Sequence, residues 1–102
     1  MRRPVIWSRA ALDDLKEQIR FVARDHPAVA RQVAIRIQEA AEALGETATG
    51  RPGRVTGIYE KSLIRLPYIV AYAMRRTKSR ESVVILRVIH TARNWPRDEW
   101  PT

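Results

Sequence analysis

The sequence predicts an α+β domain of order β-α-α-β-β-β: a helical hairpin packed on one face of a small, mainly antiparallel sheet. Three observations predict it. Residues 9–24 and 27–44 both place apolar side chains at helical spacing, and only the short break Asp25-His26-Pro27 separates them, which implies an antiparallel hairpin. Three β-favouring runs, residues 58–63, 68–74 and 83–89, then follow on short connections, as in a meander. A fourth apolar run, residues 4–7, precedes the first helix. The helices must bury their stripes on one sheet face, leaving the other exposed or covered by a partner. The 102 residues, 45% apolar, suffice for one domain spanning 1–102.

Each element has a local cause. Pro4-Val5-Ile6-Trp7 is short and β-favouring, and Ser8 after it is a good N-cap, because its hydroxyl accepts from an orphan helix N–H. Asp13 and Asp14 come early in the helix, where carboxylates suit the dipole. Leu12, Leu15, Ile19 and Val22 form its apolar stripe. Pro27 disfavours helix at His26 and suits the first turn of the second helix. The second stripe is Val29, Val33, Ile37, Ala40, Ala41 and Leu44, with Gly45 as a stop. Residues 45–57 hold all four glycines and Pro52, and are read as a loop. Residues 75–82 are polar and serve as a hairpin connection. The tail beyond residue 93 carries Pro96 and Pro101, which prevent a long extension of the last strand.

Composition excludes several classes. Without cysteine there are no disulfides, no thiolate zinc site and no thiol nucleophile, which fits a cytoplasmic protein. No apolar run approaches the roughly 18 residues of a membrane span, and no signal-peptide apolar region follows the basic N-terminus. There is no Walker loop and no nucleophile elbow, and the two histidines, His26 and His90, have no metal-site spacing. No cofactor or metal is expected.

Charge is more informative. Sixteen of the nineteen cations are arginine. Residues 1–50 hold eight cations against seven anions, and residues 51–102 hold eleven against four. This asymmetry points to an anionic partner for the second half, nucleic acid or acidic protein. Arginine favours bidentate contacts to phosphate or carboxylate. The alternative is a generally basic surface. Most acidic residues of the first half are read as a solvated helix face.

One constellation could carry chemistry. Adjacent strands of a meander could bring Lys61, Arg65, Arg87 and His90 to one ligand. The arginines would stabilise charge developing on a phosphate, and His90 would act as acid or base. That suffices for metal-free RNA cleavage, in which the 2′-OH is the internal nucleophile. The alternatives are that these cations dock an acidic protein or pair with Glu60 and Glu81, and that His90 is simply a packed histidine. Tyr68 and Tyr72 share a strand parity, hence a face, and are read as packing residues. Trp95 and Trp100 either stack on bases or cover the edge of the core.

The stretches Ile6-Trp7-Ser8, Ala11-Leu12-Asp13-Asp14-Leu15, Gly50-Arg51-Pro52-Gly53-Arg54 and Leu66-Pro67-Tyr68-Ile69-Val70-Ala71-Tyr72, with Ile85-Leu86-Arg87-Val88-Ile89-His90-Thr91-Ala92-Arg93-Asn94-Trp95-Pro96, follow in an order that resembles the RelE/ParE superfamily. These are the toxins of bacterial type II toxin–antitoxin modules, also called plasmid stabilisation proteins. The resemblance spans nearly the whole chain. It implies the RelE/ParE toxin fold and a cytoplasmic toxin neutralised by a cognate antitoxin from the same operon. That antitoxin's C-terminal segment would wrap the toxin, and its N-terminal part would bind operator DNA. ParE-like members, similar in the Arg-Pro-Gly-Arg loop and the Pro-Tyr-Ile-Val-Ala-Tyr strand, inhibit DNA gyrase and have no established catalytic set. RelE-like members cleave mRNA on the ribosome with basic residues and often a histidine or tyrosine. Here that role would fall to His90, Arg87, Arg65 and Lys61. A third alternative is a degenerate toxin that only binds antitoxin. The charge asymmetry assigns antitoxin contacts to Arg65, Arg75, Arg76 and Arg87. Target contacts are assigned to Arg51, Arg54, Arg93 and Trp95.

Overall fold

In a computed structural model of the chain, which describes residues 2–53 and 55–92, the order is β1 (Val5–Trp7), α1 (Arg9–Ala23), α2 (Pro27–Ala43), β2 (Arg51–Pro52), β3 (Tyr59–Ser62), β4 (Tyr68–Arg76) and β5 (Glu81–His90). The strands form one sheet in the order β1-β5-β4-β3-β2. β1 runs parallel to β5, and the other pairs are antiparallel. The expected α+β class and helical hairpin are present, with one added strand.

That strand is the first correction. Residues 51 and 52, expected in a loop, pair with Glu60 and Tyr59. Pro52 is tolerated because β2 lies at the sheet edge, where a missing N–H costs no ladder bond. The second correction lies at the other end of the meander. Residues 75–82 were expected to be a connection, yet Arg75 pairs with Ser82 and Arg76 with Glu81. Only Thr77–Arg80 remain as the turn, closed by the Thr77 N–H donating to the Arg80 carbonyl at 2.8 Å. Polarity marked these residues as exposed, and an exposed hairpin end can still carry a regular ladder.

Ser8 caps α1 as expected. Its Oγ accepts from the Ala11 N–H at 3.0 Å and donates to the Leu86 carbonyl at 3.0 Å, so one hydroxyl starts the helix and ties it to β5. The α1 stripe is rotated from the expected one. Ala11, Asp14, Leu15 and Gln18 are buried, and Leu12 is exposed. Two polar residues lie inside the buried arc, and apolar periodicity cannot register them. In α2, Ala30 is buried in place of Val29, whereas Val33, Ile37, Ala41 and Leu44 are buried as expected. α2 ends beside Gly45, but not through a left-handed cap. The Arg3 carbonyl lies 2.6 Å from where a Cβ at Gly45 would sit, and the Arg3 N–H donates to the Gly45 carbonyl at 2.7 Å. Glycine here admits a close backbone approach.

The main core lies between helices and sheet. Tyr68, Val70 and Tyr72 of β4 and Val83, Ile85 and Val88 of β5 pack against Leu15, Val33, Ile37 and Leu44. The opposite face carries a smaller cluster of Ile58, Ala71 and Ile89, with Val55, Ile69 and Leu86 packed against it. A β-bulge divides β5. Ala71 faces Arg87 and Tyr72 faces Ile85, which leaves Leu86 unpaired in the ladder. Such an insertion shifts the alternation of the strand: Val83 and Ile85 before it and Val88 after it all lie in the main core.

Candidate functional site

Arg87 is turned toward α1 and away from the expected constellation. Its Nε donates to Asp14 Oδ2 at 2.7 Å and its Nη2 to Asp14 Oδ1 at 2.9 Å. The same Oδ2 accepts from the Val88 N–H at 3.0 Å. β1 pairs with β5 only as far as Ile85, and Asp14 supplies the acceptor that a longer β1 would have offered Val88. The Asp14 side chain is 9% exposed and that of Arg87 20%. Sequence reading placed Asp14 in the dipole of α1 and offered Glu60 and Glu81 as partners for these cations. Glu60 does lie 3.8 Å from one of them, Arg51, whereas Glu81 is shared by Arg3 and Arg76. A cation within an otherwise apolar strand signalled a buried carboxylate partner. Which carboxylate it was depended on the helix docking.

The remaining expected residues are spread out. Lys61 lies on β3 and lines a shallow depression with Arg36, Glu39 and Ile64. None of Arg65, Arg87 and His90 lines it. Arg65 is exposed in the turn before β4 and has φ 64°, a left-handed conformation that costs a non-glycine residue about 1–2 kcal/mol. The Arg36 Nη2 donates to the adjoining Ile64 carbonyl at 2.7 Å and braces that turn. His90 ends β5 opposite Tyr68, the two rings edge to face at 5.3 Å. Its Nδ1 accepts from the Ala92 N–H at 3.1 Å. Arg75 and Arg76 are exposed at the far end of β4, a strand roughly 27 Å long at the usual rise per residue, whereas Arg65 precedes its near end. Arg51 is exposed on the edge strand. Arg54, Arg93, Trp95 and Trp100 lie outside the described residues.

The loop carrying Arg51 is tied to the core by Tyr72, whose hydroxyl donates to the Thr49 carbonyl at 2.6 Å. The Tyr72 ring stacks on Tyr59 at 5.6 Å. Burial raises the Tyr72 pKa above 10.0, and the neighbouring Tyr59 adds to the rise.

Sequence reading missed a groove on the outer sheet face. Ala73, Val84 and Leu86 form its floor, Val55 and Ile58 one wall, and Arg75 and Arg76 lie along it. Its volume is about 900 Å³. Alternation along β4 and β5 could have shown it, since Ala73 and Val84 pair directly and Leu86 follows Val84 by two residues on the same face. The arrangement offers apolar anchorage with cationic flanks and suits an acidic, amphipathic segment. Among the described residues, no group of three His, Asp or Glu side chains could hold a metal ion, and no described helix is long and apolar enough to cross a membrane.

A third arrangement sits at the hairpin end. Arg3 Nε donates to Glu81 Oε1 at 2.5 Å, and Arg76 Nη2 lies 3.5 Å from Oε2. The Arg3 hydrogen bond is the largest effect and holds the Glu81 pKa below the usual 4.5; burial, the next largest, opposes it, and the charges of Arg3 and Arg76 assist. A carboxylate with a depressed folded pKa stabilises the fold above its unfolded pKa. It loses that contribution as pH falls through the folded value. NMR titration is expected to show Glu81 ionising below pH 4.5 and Arg3→Gln returning it toward the ordinary range. An unmoved titration in that variant would refute the pairing.

Comparison with known proteins accounts for this architecture. Residues 5–95 match the family described as the ParE toxin of the type II toxin–antitoxin system parDE. A provisionally named toxin, Y4kP of Sinorhizobium fredii, is 37% identical over 97 residues, covering 94% of this chain and 96% of that protein. A structure of the chromosomal ParDE system from P. aeruginosa superposes with a TM-score of 0.77 at 25% identity, over 87% of this chain and 96% of that one. The RelBE2 toxin–antitoxin complex from Mycobacterium tuberculosis shares the fold, with a TM-score of 0.55 at 24% identity over 88% and 99% of the two chains. The chain is a type II toxin of the RelE/ParE superfamily and belongs to its ParE toxin family.

Proposed function

We propose that this toxin acts by inhibiting DNA gyrase and is held inactive by a cognate antitoxin from its own operon. The match to the ParE family over residues 5–95 carries the reading. The placement of the cations supports it. Arg87, needed for phosphate stabilisation in the ribonuclease alternative, has its guanidinium engaged by Asp14. The test is to induce the toxin without antitoxin and follow thymidine and amino-acid incorporation over minutes. DNA synthesis is expected to fail first, with purified gyrase losing supercoiling activity in parallel. Translation failing first, with gyrase unaffected, would replace this reading with mRNA cleavage centred on His90. Undisturbed growth would leave a degenerate toxin that only binds antitoxin.

The antitoxin is assigned to the outer groove, where an acidic segment would place apolar side chains on Ala73, Val84 and Leu86 and carboxylates beside Arg75 and Arg76. Such a segment pays its ordering entropy on binding, so it needs the apolar floor as well as charge. Continued along β4 as an extended chain, it would reach Arg65. Arg75→Glu is expected to weaken the complex about tenfold, mostly through slower association at low salt, as for a rim charge. Unchanged association kinetics would remove the groove from the interface.

A further inference from the structure

The hairpin end of the sheet concentrates cations, and four of them, Arg2, Arg3, Lys78 and Arg80, do not line the groove. The parallel pairing of β1 with β5 brings the N-terminal segment alongside the turn, with the Val83 N–H donating to the Pro4 carbonyl at 2.9 Å. Arg2, Arg3, Ser79, Arg80, Glu81 and Glu42 consequently line one open cleft of about 890 Å³. Lys78 lies in the turn itself, and Arg75 and Arg76 enter it from β4. Six cations thus meet at one end of the molecule. The carboxylates there are Glu81, bound by Arg3 and Arg76, Glu46, 3.8 Å from Arg2, and Glu42. Arg75, Lys78 and Arg80 have no carboxylate partner among the described residues. By contrast, Lys16 and Arg20 on α1 share their surface with Asp13 and Glu17.

We propose that this end of the sheet binds the phosphodiester backbone of duplex DNA. Thr77, Lys78, Ser79 and Arg80 are all exposed; Lys78 and Arg80 supply charge and Ser79 a hydroxyl, and only Pro4 and Val5 add apolar surface to the cleft beside them. A protein segment that orders on docking needs apolar anchors, and those lie around the corner in the groove. Phosphate binding needs none, because its free energy comes largely from counterion release. The cations also fall in two rows, Arg2 and Arg3 ahead of β1 and Arg75 and Arg76 on β4, with β5 between. Phosphate contacts of this kind position a protein without reading sequence. The toxin therefore adds its own DNA contact to the one expected through its antitoxin, whichever cellular target it attacks.

The test is fluorescence anisotropy of the full-length toxin with a random-sequence DNA duplex about two helical turns long, titrated in salt. The variant Arg2→Ala/Lys78→Ala/Arg80→Ala spares Arg75 and Arg76. It is expected to weaken binding at least tenfold and to flatten the salt slope by about 0.9 for each phosphate no longer neutralised. The charge-matched variant Arg20→Ala/Arg24→Ala/Arg31→Ala, on the helical hairpin, is expected to bind within twofold of the parent. All three substituted tip residues are exposed, and circular dichroism verifies folding in both variants. Equal weakening in the two variants would reduce the effect to net charge and overturn the proposal. So would tighter binding to an RNA duplex of equal length. A tip variant that loses antitoxin affinity but keeps DNA affinity would make this a protein-docking surface instead, again overturning it. None of these outcomes depends on gyrase inhibition, which the labelling experiment tests separately.

Discussion

Replacing Arg87 with alanine is expected to destabilise the domain by about 3–5 kcal/mol, the cost of leaving a buried carboxylate without its cation. Asp14 would retain only the Val88 N–H among the three donors it now accepts. For a chain of this size, 1 kcal/mol moves the melting temperature by about 4–8 °C. A fall of about 15 °C or more is therefore expected in a thermal scan. Arg87→Lys keeps the charge but cannot form both parallel bonds, and should recover only part of the loss. A scan within about 3 °C of the parent for Arg87→Ala would show that the pair contributes little. The result also bears on function. Loss of toxicity in Arg87→Ala follows from unfolding alone and says nothing about RNA cleavage, whereas His90→Ala leaves the Asp14–Arg87 pair intact and is the informative variant.

Tyr72→Ala is the second large effect. This side chain is 2% exposed within the main core. Removing a buried aromatic ring costs about 3–5 kcal/mol. Tyr72→Phe isolates the hydroxyl. It keeps the packing and the stack on Tyr59, and strips the Thr49 carbonyl of its donor, at about 1 kcal/mol. Hydrogen exchange in Tyr72→Phe is expected to quicken at residues 47–53 and to stay unchanged in β4 and β5. Faster exchange throughout the sheet would mean that the hydroxyl supports the core and not the loop. Because β2 follows directly from Thr49 and Gly50, this bond also holds Arg51, one of the residues expected to meet the target.

The order of the elements was legible because each has a local cause. Ser8 must begin a helix, Pro27 must restart one, and the two longest apolar runs, around Val70 and Ile85, are rich in β-branched residues and unbroken. The strand ends were less legible. Arg75, Arg76, Glu81 and Ser82 are polar, and polarity reports exposure, not backbone pairing. β2 was invisible because Arg51 and Pro52 have no pattern of their own and pair only because β3 lies beside them.

The candidate site divides along the same line. Composition alone established a basic second half rich in arginine, and with it the expectation of an anionic partner. The motifs in order established the family. Only the tertiary structure decided where those charges go. Helix docking brings Asp14 of α1 against Arg87 and neutralises it. The parallel pairing of β1 with β5, between residues 78 positions apart in the chain, carries Arg2 and Arg3 to the hairpin. The outer groove is lined by residues from β4, β5 and the loop before β3, which become neighbours only when the sheet forms. Local propensity is set by adjacent residues and is written in the sequence. Charge pairing and surface shape depend on long-range distances, which exist only once the chain has folded.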